Sequence, residues 1–416
     1  MNFFVKTNKE KFIDRLIAWV SGLKTMGEPP TLTASSRLDK VRGIGFGIAM
    51  LLSAFFGSIF VMMPCTPLIW LQPKWYRRLV DRLVGFWLVM PSGLMEYLFG
   101  VRFTVTGDHI DPSHPGIIIM NHRTRLDWLF FWNALFRMDA RLLTTEKISL
   151  KGILKYLPGA GWAMCSNAYM FLDRSYENDS ARIDQLLEYY ARVGDIYQLL
   201  LFPEGTDKCP KATARSKDYA EKKNIVHYDY VLHPRVTGFT HILRKMREEN
   251  YVDFIYDVTI AFDDGILQSE VDLVKLGVTS KDVRFDVRKI PIADVPVDDA
   301  EVGEWLRNLW AEKEERLRVF YSKPQGERQL DTHEGALTFD LTPKTRLYQL
   351  SIIAVWMSLT FTWMYFFFVS NYSFLMAATT IIFYVGLQKM YNGTEMLISQ
   401  IGLEWRKTQA AKGKLE

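Results

Sequence analysis

The chain has 416 residues, of which 49% are hydrophobic and 14% aromatic, enough for one sizeable core together with membrane anchors. The formal net charge of +4 does not favour nucleic acid as a partner, because nucleic-acid binding usually needs a concentrated basic face, but it suits an anionic membrane surface. The three cysteines lie far apart, so the sequence implies neither a disulfide framework nor a CxxC metal site.

The N-terminal part of the chain predicts a cytosolic segment followed by membrane-associated helices. Residues 1–43 carry charges where a signal peptide would be apolar, so we expect a cytosolic segment there. Within residues 44–99, the uncharged run from Ile44 to Met63 would be about 30 Å long as a helix, which matches the hydrocarbon core of a bilayer. Leu83 to Phe99 is interrupted by polar and helix-breaking residues, and it fits a re-entrant helix, an interfacial helix or a helix packed on the globular domain.

Residues 100–324 have the pattern of a soluble domain, in which short apolar runs alternate with amphipathic ones. Such alternation predicts an α/β domain with a mixed, largely parallel sheet flanked by helices. The predicted strands are 116–120, 141–145, 168–172, 197–202 and 256–262. The predicted helices are 128–137, 149–156, 180–193 and 240–247.

The end of the first of these strands carries a histidine and a carboxylate. "GIIIM" is followed by Asn121 and His122, and Asp127 comes five residues after the histidine at the start of a predicted helix. A tight turn would bring the carboxylate to one imidazole nitrogen and leave the other free as a general base. No GxSxG elbow and no nearby cysteine supplies a nucleophile, so the nucleophile is expected to be a substrate hydroxyl.

Two further strand ends carry polar residues. "LLLFPEGTDK" ends a strand in the turn from Phe202 to Thr206, in which the proline fixes φ and the glycine allows close approach to a ligand. "AYMFLDRS" ends in Arg174, whose guanidinium either forks onto a phosphate or pairs with Asp173 or Asp207 at the surface. A fourth stretch, "VLHPRVTGF", surrounds Pro234.

The C-terminal part predicts a linker over 325–346, a hydrophobic membrane hairpin over 347–390 and a polar tail over 391–416. Two apolar runs, Leu347 to Ser370 and Phe374 to Leu387, are separated by a polar triplet. A hairpin dipping into the membrane and a pair of tilted spans both fit these lengths. Lysines and arginines flank every apolar stretch, which favours cytoplasmic flanks throughout.

Taken together, these strand ends resemble the glycerolipid acyltransferase family, the relatives of 1-acylglycerol-3-phosphate acyltransferase. Over roughly residues 85–300, this sequence matches the four blocks of that family: NHx4D at Asn121, His122 and Asp127, a block ending in an arginine at Arg174, FPEGT at Phe202 to Thr206, and a proline in a hydrophobic setting at Pro234. The sequences NHRTRLDW, PGAGWAM, FPEGTD and VLHPRVTGF are most similar to the lysocardiolipin/lysophosphatidylinositol acyltransferase branch, which also carries a C-terminal hydrophobic extension.

The resemblance implies acyl transfer from acyl-CoA to a lysophospholipid in a bilayer, with no covalent enzyme intermediate, no metal and no cofactor beyond the co-substrate. His122, oriented by Asp127, is expected to deprotonate the lipid hydroxyl. The expected substrate-binding residues are those that hold the lipid phosphate, shape the glycerol pocket or flank the base: Arg174, Lys147, Glu204, Gly205, Thr206, Asn121, Arg123 and Arg125.

The fourth block departs from the simplest family pattern, because His233 and Arg235 flank its proline. Together with Arg123 and Arg125, these residues suit an anionic headgroup larger than a phosphate, such as that of a phosphatidylinositol or a phosphatidylglycerol-type lipid. The two arginines beside the base equally fit a position facing solvent or anionic membrane lipid.

Two other functions remain open from the sequence. One is acylation of lysophosphatidic acid in de novo synthesis instead of phospholipid remodelling. The other, of a different class, is a non-catalytic lipid-binding scaffold, although a scaffold needs neither the His/Asp pair nor the FPEGT turn. The expected location is the endoplasmic reticulum membrane with a cytosolic active site, and a mitochondria-associated membrane is the alternative.

Overall fold

The computed structural model of the chain describes residues 29–173 and 175–413. The strands of this part are β1 (Arg102–Gly107), β2 (Gly116–Met120), β3 (Glu146–Lys151), β4 (Met170–Leu172), β5 (Gln198–Leu201), β6 (Phe254–Phe262), β7 (Asp282–Pro291) and β8 (Leu337–Thr338). They form one sheet in the order β4-β3-β5-β2-β6-β7-β1-β8. Neighbours run parallel except where β7 meets β6 and β8 meets β1, so the expected largely parallel sheet is confirmed.

Helices cover the sheet and extend beyond it at both ends of the described chain. Those before and within the sheet are α1 (Arg37–Leu71), α2 (Pro73–Tyr97), α3 (Asp127–Met138), α4 (Leu142–Thr145), α5 (Ala160–Ser166), α6 (Tyr176–Arg192), α7 (Pro210–Lys223), α8 (Val236–Glu248), α9 (Glu270–Leu276) and α10 (Asp299–Ser322). Those after it are α11 (Pro343–Val369), α12 (Asn371–Tyr391) and α13 (Thr394–Ala411).

The carboxyl ends of the central strands bring the predicted motifs together. Strands β2 and β5 are adjacent and parallel, with Ile119 opposite Leu201. Both are buried along their whole length, which explains the apolar runs 117–120 and 199–201. Because parallel strands end on the same side, the chain leaves β2 toward His122 and leaves β5 toward Phe202 at neighbouring points.

Among the described residues, α1, α11 and α12 are long and apolar enough to cross a membrane. The helix α2 is different, because it packs on α3, α4 and α11 and buries much of its surface. Of the three structures open for Leu83 to Phe99, the observed one is a helix packed on the globular domain.

The hairpin of α11 and α12 buries several polar side chains, and most of its large exposed side chains are apolar. The buried residues of the two helices include Gln349, Thr360, Ser373, Thr380 and Gln388, which all face neighbouring helices or the sheet domain. The exposed residues are mostly large and apolar, with Phe368 and Ile382 among them. This inverted polarity is what a lipid-facing surface requires.

Both ends of this hairpin attach to the sheet domain. At the start of α11, Arg346 lies 3.2 Å from the Glu96 carboxylate. After α12, the helix α13 packs on α6, where Nε2 of Gln185 donates to Met396 O at 3.1 Å and to Ser399 Oγ at 2.8 Å. Among the described residues, the segment predicted as a polar tail over 391–416 therefore contains a helix that docks on α6.

Two local predictions also fail. Residues 141–145 were expected to be a strand, but Leu142–Thr145 forms one helical turn and the strand begins at Glu146. Residues 149–156 were expected to be a helix, but β3 runs to Lys151 and a 3₁₀ turn covers Gly152–Tyr156. Both errors shift the boundaries of one short strand, whose apolar run is too short for its periodicity to distinguish strand from helix.

Candidate active site

The His122 imidazole is held by the Asp127 carboxylate. Nδ1 of His122 lies 3.0 Å from Oδ2 of Asp127. Asp127 is the first residue of α3, fully buried, and its two oxygens also accept the backbone N–H and the hydroxyl of Thr124, at 2.9 and 3.0 Å. The positive end of the α3 dipole favours a carboxylate at this position. The turn between strand and helix thus fixes the orientation of the imidazole.

The other ring nitrogen of His122 is left for a substrate. The Phe202 ring stacks on the imidazole, with the two centroids 4.2 Å apart, and the histidine side chain keeps 15% of its surface exposed. Within residues 29–173 and 175–413, Nε2 has no hydrogen-bond partner. Because the Asp127 carboxylate accepts the Nδ1 proton, Nε2 is the proton-accepting nitrogen, as general-base activation of a hydroxyl requires.

Glu204 in the FPEGT turn connects the histidine to the fourth block. Its Oε1 accepts the backbone N–H of His122 at 3.1 Å, and its Oε2 accepts that of Leu232 at 3.0 Å. Burial raises the pKa of Glu204 to about 7, although the two N–H donors oppose that shift. Sequence reasoning expected Glu204 to contact substrate, whereas its carboxylate binds two backbone amides and so positions the site.

Gly205 adopts a backbone conformation that favours glycine and brings Arg235 close. Its φ is +74°, and its N–H donates to Phe202 O at 2.9 Å. The backbone N–H of Arg235 donates to Pro203 O at 2.8 Å, and a Cβ added at Gly205 would lie 3.0 Å from Cδ of Arg235. The Arg235 side chain therefore packs over Gly205, beside the turn that carries Phe202 against the imidazole.

A buried carboxylate, Asp207, holds the arginine that lies three residues after His122. Oδ1 of Asp207 lies 3.5 Å from Nε of Arg125, and Oδ2 accepts Nε2 of Gln268 at 3.1 Å. Burial alone would raise the pKa of Asp207, but the charge of a protonated His122 and the Gln268 hydrogen bond hold that pKa below its usual value. The side chain of Thr206 points to the same carboxylate, with its hydroxyl 3.4 Å from Oδ1.

Arginine side chains therefore lie on the loop after His122 and beside the FPEGT turn. Arg123 donates through Nη1 to Lys208 O at 3.0 Å, and the backbone N–H of Lys208 donates to His122 O at 2.8 Å. Arg125 remains about half exposed, and Arg235 is exposed. Sequence reasoning named Arg123 and Arg125, but it considered Asp207 only as a surface partner of Arg174 and did not pair it with Arg125.

Two of the predicted substrate ligands are buried and hydrogen-bonded inside the domain. Lys147 is fully buried, and its Nζ donates to Oδ1 of Asp81 at 2.6 Å and to Asn167 Oδ1 at 3.0 Å, so its charge is already paired inside the domain. Asn121 is also buried. Its Nδ2 donates to Ile260 O in β6 at 3.1 Å, and its Oδ1 accepts the backbone N–H of Ile260 at 2.9 Å. Each side chain stabilises the sheet domain and has no polar atom left for a lipid.

Arg174, the second-block arginine, lies outside the described residues. Its neighbour Asp173 is exposed and lies 3.2 Å from Nη1 of Arg182. The role expected for Arg174 stays a prediction.

Comparison with known proteins identifies the family. A family model described as Acyltransferase matches residues 102–263, and one described as Acyltransferase C-terminus matches residues 276–352. The chain is 45% identical to lysophosphatidylinositol acyltransferase 10 of Caenorhabditis elegans, over 69% of this chain and 74% of the relative. This chain belongs to the glycerolipid acyltransferase family.

A further relative agrees with that assignment. The acyltransferase chain is 40% identical to lysocardiolipin acyltransferase 1 of Gallus gallus, over 86% of this chain and 93% of the relative. The expected resemblance to the lysocardiolipin/lysophosphatidylinositol acyltransferase branch is confirmed. A solved structure, the 1-acyl-sn-glycerophosphate acyltransferase of Thermotoga maritima, covers 66% of this chain and 98% of its own, with a TM-score of 0.40 and 14% identity.

Proposed function

We propose that this acyltransferase transfers a fatty acyl group from acyl-CoA to the free hydroxyl of an anionic lysophospholipid, in phospholipid remodelling. One observation carries the proposal: His122 is held at Nδ1 by a buried carboxylate and keeps Nε2 unbonded among the described residues, at a sheet edge bordered by arginines. Both relatives described above are named for acyl transfer to lysophospholipids.

In the proposed reaction, Nε2 of His122 accepts the proton of the lipid hydroxyl as its oxygen attacks the thioester carbonyl of acyl-CoA. The new ester bond forms, the carbon–sulfur bond breaks, and the departing thiolate receives the proton from the imidazolium. Asp127 stabilises the imidazolium while it exists. A positioned general base of this kind typically contributes about 10²–10⁴-fold in rate. The reaction needs acyl-CoA as co-substrate and no further cofactor.

The arginines around the imidazole support an anionic acceptor. Arg125 lies beside Asp207, directly after the FPEGT turn, and Arg235 packs on Gly205 within that turn. A guanidinium group can donate two parallel hydrogen bonds to the oxygens of one phosphate. We assign the second-block Arg174 to the same role. Acceptors of the lysophosphatidylinositol, lysophosphatidylglycerol or lysocardiolipin type fit this charge, because each carries a phosphate together with a bulkier polar headgroup.

Acylation of lysophosphatidic acid in de novo synthesis is the second candidate. It is supported by relatives named 1-acyl-sn-glycerol-3-phosphate acyltransferase, such as the delta form of Rattus norvegicus, which is 28% identical over 62% of this chain. A non-catalytic lipid-binding scaffold is the alternative of a different class. We place the enzyme in the endoplasmic reticulum membrane with a cytosolic active site, with a mitochondria-associated membrane as the alternative location.

The decisive experiment is an acyl-transfer assay on the full chain in vesicles. Labelled acyl-CoA is offered with lysophosphatidic acid and with the lyso forms of phosphatidylinositol, phosphatidylglycerol and cardiolipin. We expect product with one or more of the last three, and a fall of about 10²–10⁴-fold in His122→Ala.

His114→Ala is the matched control for this assay. His114 also pairs with an aspartate, since its Nδ1 lies 2.9 Å from Oδ2 of Asp253, but it lies near the opposite end of β2. This variant should keep the wild-type rate. Product with lysophosphatidic acid alone would favour the second candidate, and no product from a folded, inserted protein would favour the scaffold.

A further inference from the structure

A short apolar turn lies exposed directly after β3. The turn is the 3₁₀ helix Gly152–Tyr156 together with the residue after it. Its exposed apolar side chains are Ile153 at 70%, Leu154 at 36%, Tyr156 at 52% and Leu157 at 40%. We call the segment from Ile153 to Leu157 the apolar rim. Four large apolar side chains within five residues form a contiguous patch, and such patches on a protein surface mark a contact with another molecule or a membrane.

The one charged residue of the apolar rim points inward. Lys155 is buried, and its Nζ donates to Asn392 O at 2.8 Å and to Asn392 Oδ1 at 2.6 Å, just after the end of α12. The Gln388 amide, on the last turns of α12, donates to Lys155 O. A turn that faces water would expose its lysine and cover its isoleucine and leucine. The apolar rim does the reverse, which is the polarity of a surface in contact with lipid.

The apolar rim is continuous with two of the candidate membrane spans. Beyond its last residue, Gly159 O accepts the hydroxyl of Ser58, from α1, at 2.8 Å. The Trp162 ring stacks on the Tyr384 ring of α12, with centroids 5.2 Å apart and an interplanar angle of 4°. The loop and helix after the rim therefore contact both α1 and α12.

The apolar rim also begins at the edge of the sheet that carries the candidate active site. Strand β3 is parallel to β5, with Ile148 opposite Leu200, and it continues for a further three residues to Lys151. Because β5 ends one residue after Leu200, the chain leaves β3 on the same side as the FPEGT turn. The rim and the His122 imidazole thus share one edge of the sheet.

We propose that the apolar rim, Ile153 to Leu157, inserts into the lipid bilayer beside α1 and α12 and holds the edge that carries His122 against the membrane surface. Insertion of apolar side chains at the headgroup–acyl boundary is favourable because their area leaves water. Long-chain substrates could then reach the imidazole while their acyl chains stay in the bilayer. The insertion does not depend on which lipid is acylated or on the acyl donor.

Depth-dependent quenching of a fluorophore tests the insertion directly. The environment-sensitive probe NBD is attached to Ile153→Cys in full-length protein reconstituted in phosphatidylcholine vesicles. The background is Cys65→Ser with Cys209→Ser, and Cys165 remains because it is buried. The matched control is Val297→Cys, because Val297 is 81% exposed in the loop before α10.

We expect the probe at position 153 to be quenched by nitroxide-labelled lipids and protected from iodide, and the probe at position 297 to behave in the opposite way. Iodide quenching at position 153 equal to that at position 297 would overturn the proposal, because the rim would then face water. Protection from both quenchers would also overturn it, since a protein surface would then cover the rim.

Acyl-transfer rates test whether the insertion gives long-chain substrates access to the site. Ile153→Asp should lower transfer to a long-chain lysolipid in vesicles by about tenfold, because a charge is expelled from the boundary region. Transfer to a short-chain acceptor dissolved in water should stay at the wild-type rate, which also shows that the variant is folded. Equal rates with both acceptors in Ile153→Asp and wild type would overturn the role of the rim in substrate access.

Discussion

Oδ2 of Asp127 lies 3.0 Å from Nδ1 of His122 and accepts the backbone N–H of Thr124 at 2.9 Å. The other oxygen of the same carboxylate accepts the Thr124 hydroxyl at 3.0 Å. A fully buried carboxylate that is bound at three points cannot rotate away from the imidazole. The tautomer of His122 is therefore set by a turn of only six residues, and this makes Asp127 the most informative position to change.

Asp127→Asn should lower kcat by about 10²–10⁴-fold while the protein stays folded. Because Nδ1 and the Thr124 amide both bind Oδ2, the asparagine would keep its oxygen at that place and its NH₂ toward the Thr124 hydroxyl. The neutral side chain would then no longer stabilise the imidazolium that forms when His122 takes the proton of the lipid hydroxyl. Steady-state kinetics and a thermal unfolding scan measure the two effects.

Asp253→Asn is the control, because Asp253 pairs with His114 near the opposite end of β2. A normal kcat in Asp127→Asn, or an equal loss in both variants, would contradict the role assigned to Asp127.

The central part of this site was predictable because its geometry is local. His122 and Asp127 are five residues apart, and a strand followed by a helix leaves few ways to connect them. The fates of Lys147 and Asn121 were not predictable from their neighbours in sequence. Asp81, which pairs with Lys147, lies 66 residues away, and Ile260, which Asn121 binds, lies 139 residues away. Long-range partners of this kind decide whether a polar side chain is available to a ligand.

In the membrane elements, too, local features were predictable from the sequence and long-range contacts were not. The apolar runs in residues 44–63 and 347–387 predicted long helices, since length and composition alone identify such segments. The docking of α13 on α6 was missed because its signal is weak. Only a few apolar residues of α13 are buried, and Gly402 matters because a Cβ there would lie 2.5 Å from the Tyr189 ring.

Glu204→Gln should destabilise the protein by about 1–3 kcal/mol and lower kcat as well. Glutamine offers one acceptor atom where Glu204 accepts two backbone N–H groups, so the amide of either His122 or Leu232 loses its partner. Thermal unfolding and transfer rate are measured together. Glu221→Gln, at an exposed position of α7, should change neither quantity. A Glu204→Gln protein with unchanged stability would show that the two amides do not depend on this carboxylate.

Gly205→Ala should cost about 1–2 kcal/mol in stability, because an alanine is strained at a φ of +74°. Its Cβ would also press on the Arg235 side chain, 3.0 Å away. If Arg235 binds the acceptor headgroup, the KM for the lysolipid should rise more than kcat falls. Gly238→Ala is the matched control, since a Cβ there meets no atom within 4 Å. An unchanged KM in a folded Gly205→Ala protein would exclude Arg235 from headgroup binding.

Glu146→Gln should change the pH dependence of stability without changing the candidate site. Burial raises the pKa of Glu146 to about 7 from an ordinary 4.5, against opposing contributions from Trp132 and Lys147. Between these two values the folded chain keeps a proton that the unfolded chain has lost. The free energy of unfolding therefore falls as the pH rises, by up to about 1.4 kcal/mol per pH unit, and is steady again above the folded pKa.

Glutamine at position 146 has no proton to lose, so the stability of Glu146→Gln relative to wild type should rise as the pH increases through this window. Burial raises the pKa of Glu204 to about 7 as well. The part of the pH dependence of stability that Glu204 causes should therefore remain in the Glu146→Gln protein. Thermal unfolding midpoints measured across the window in both proteins give the comparison. Parallel midpoints at every pH would mean that Glu146 ionises alike in the folded and unfolded chains, which its burial beneath α3 argues against.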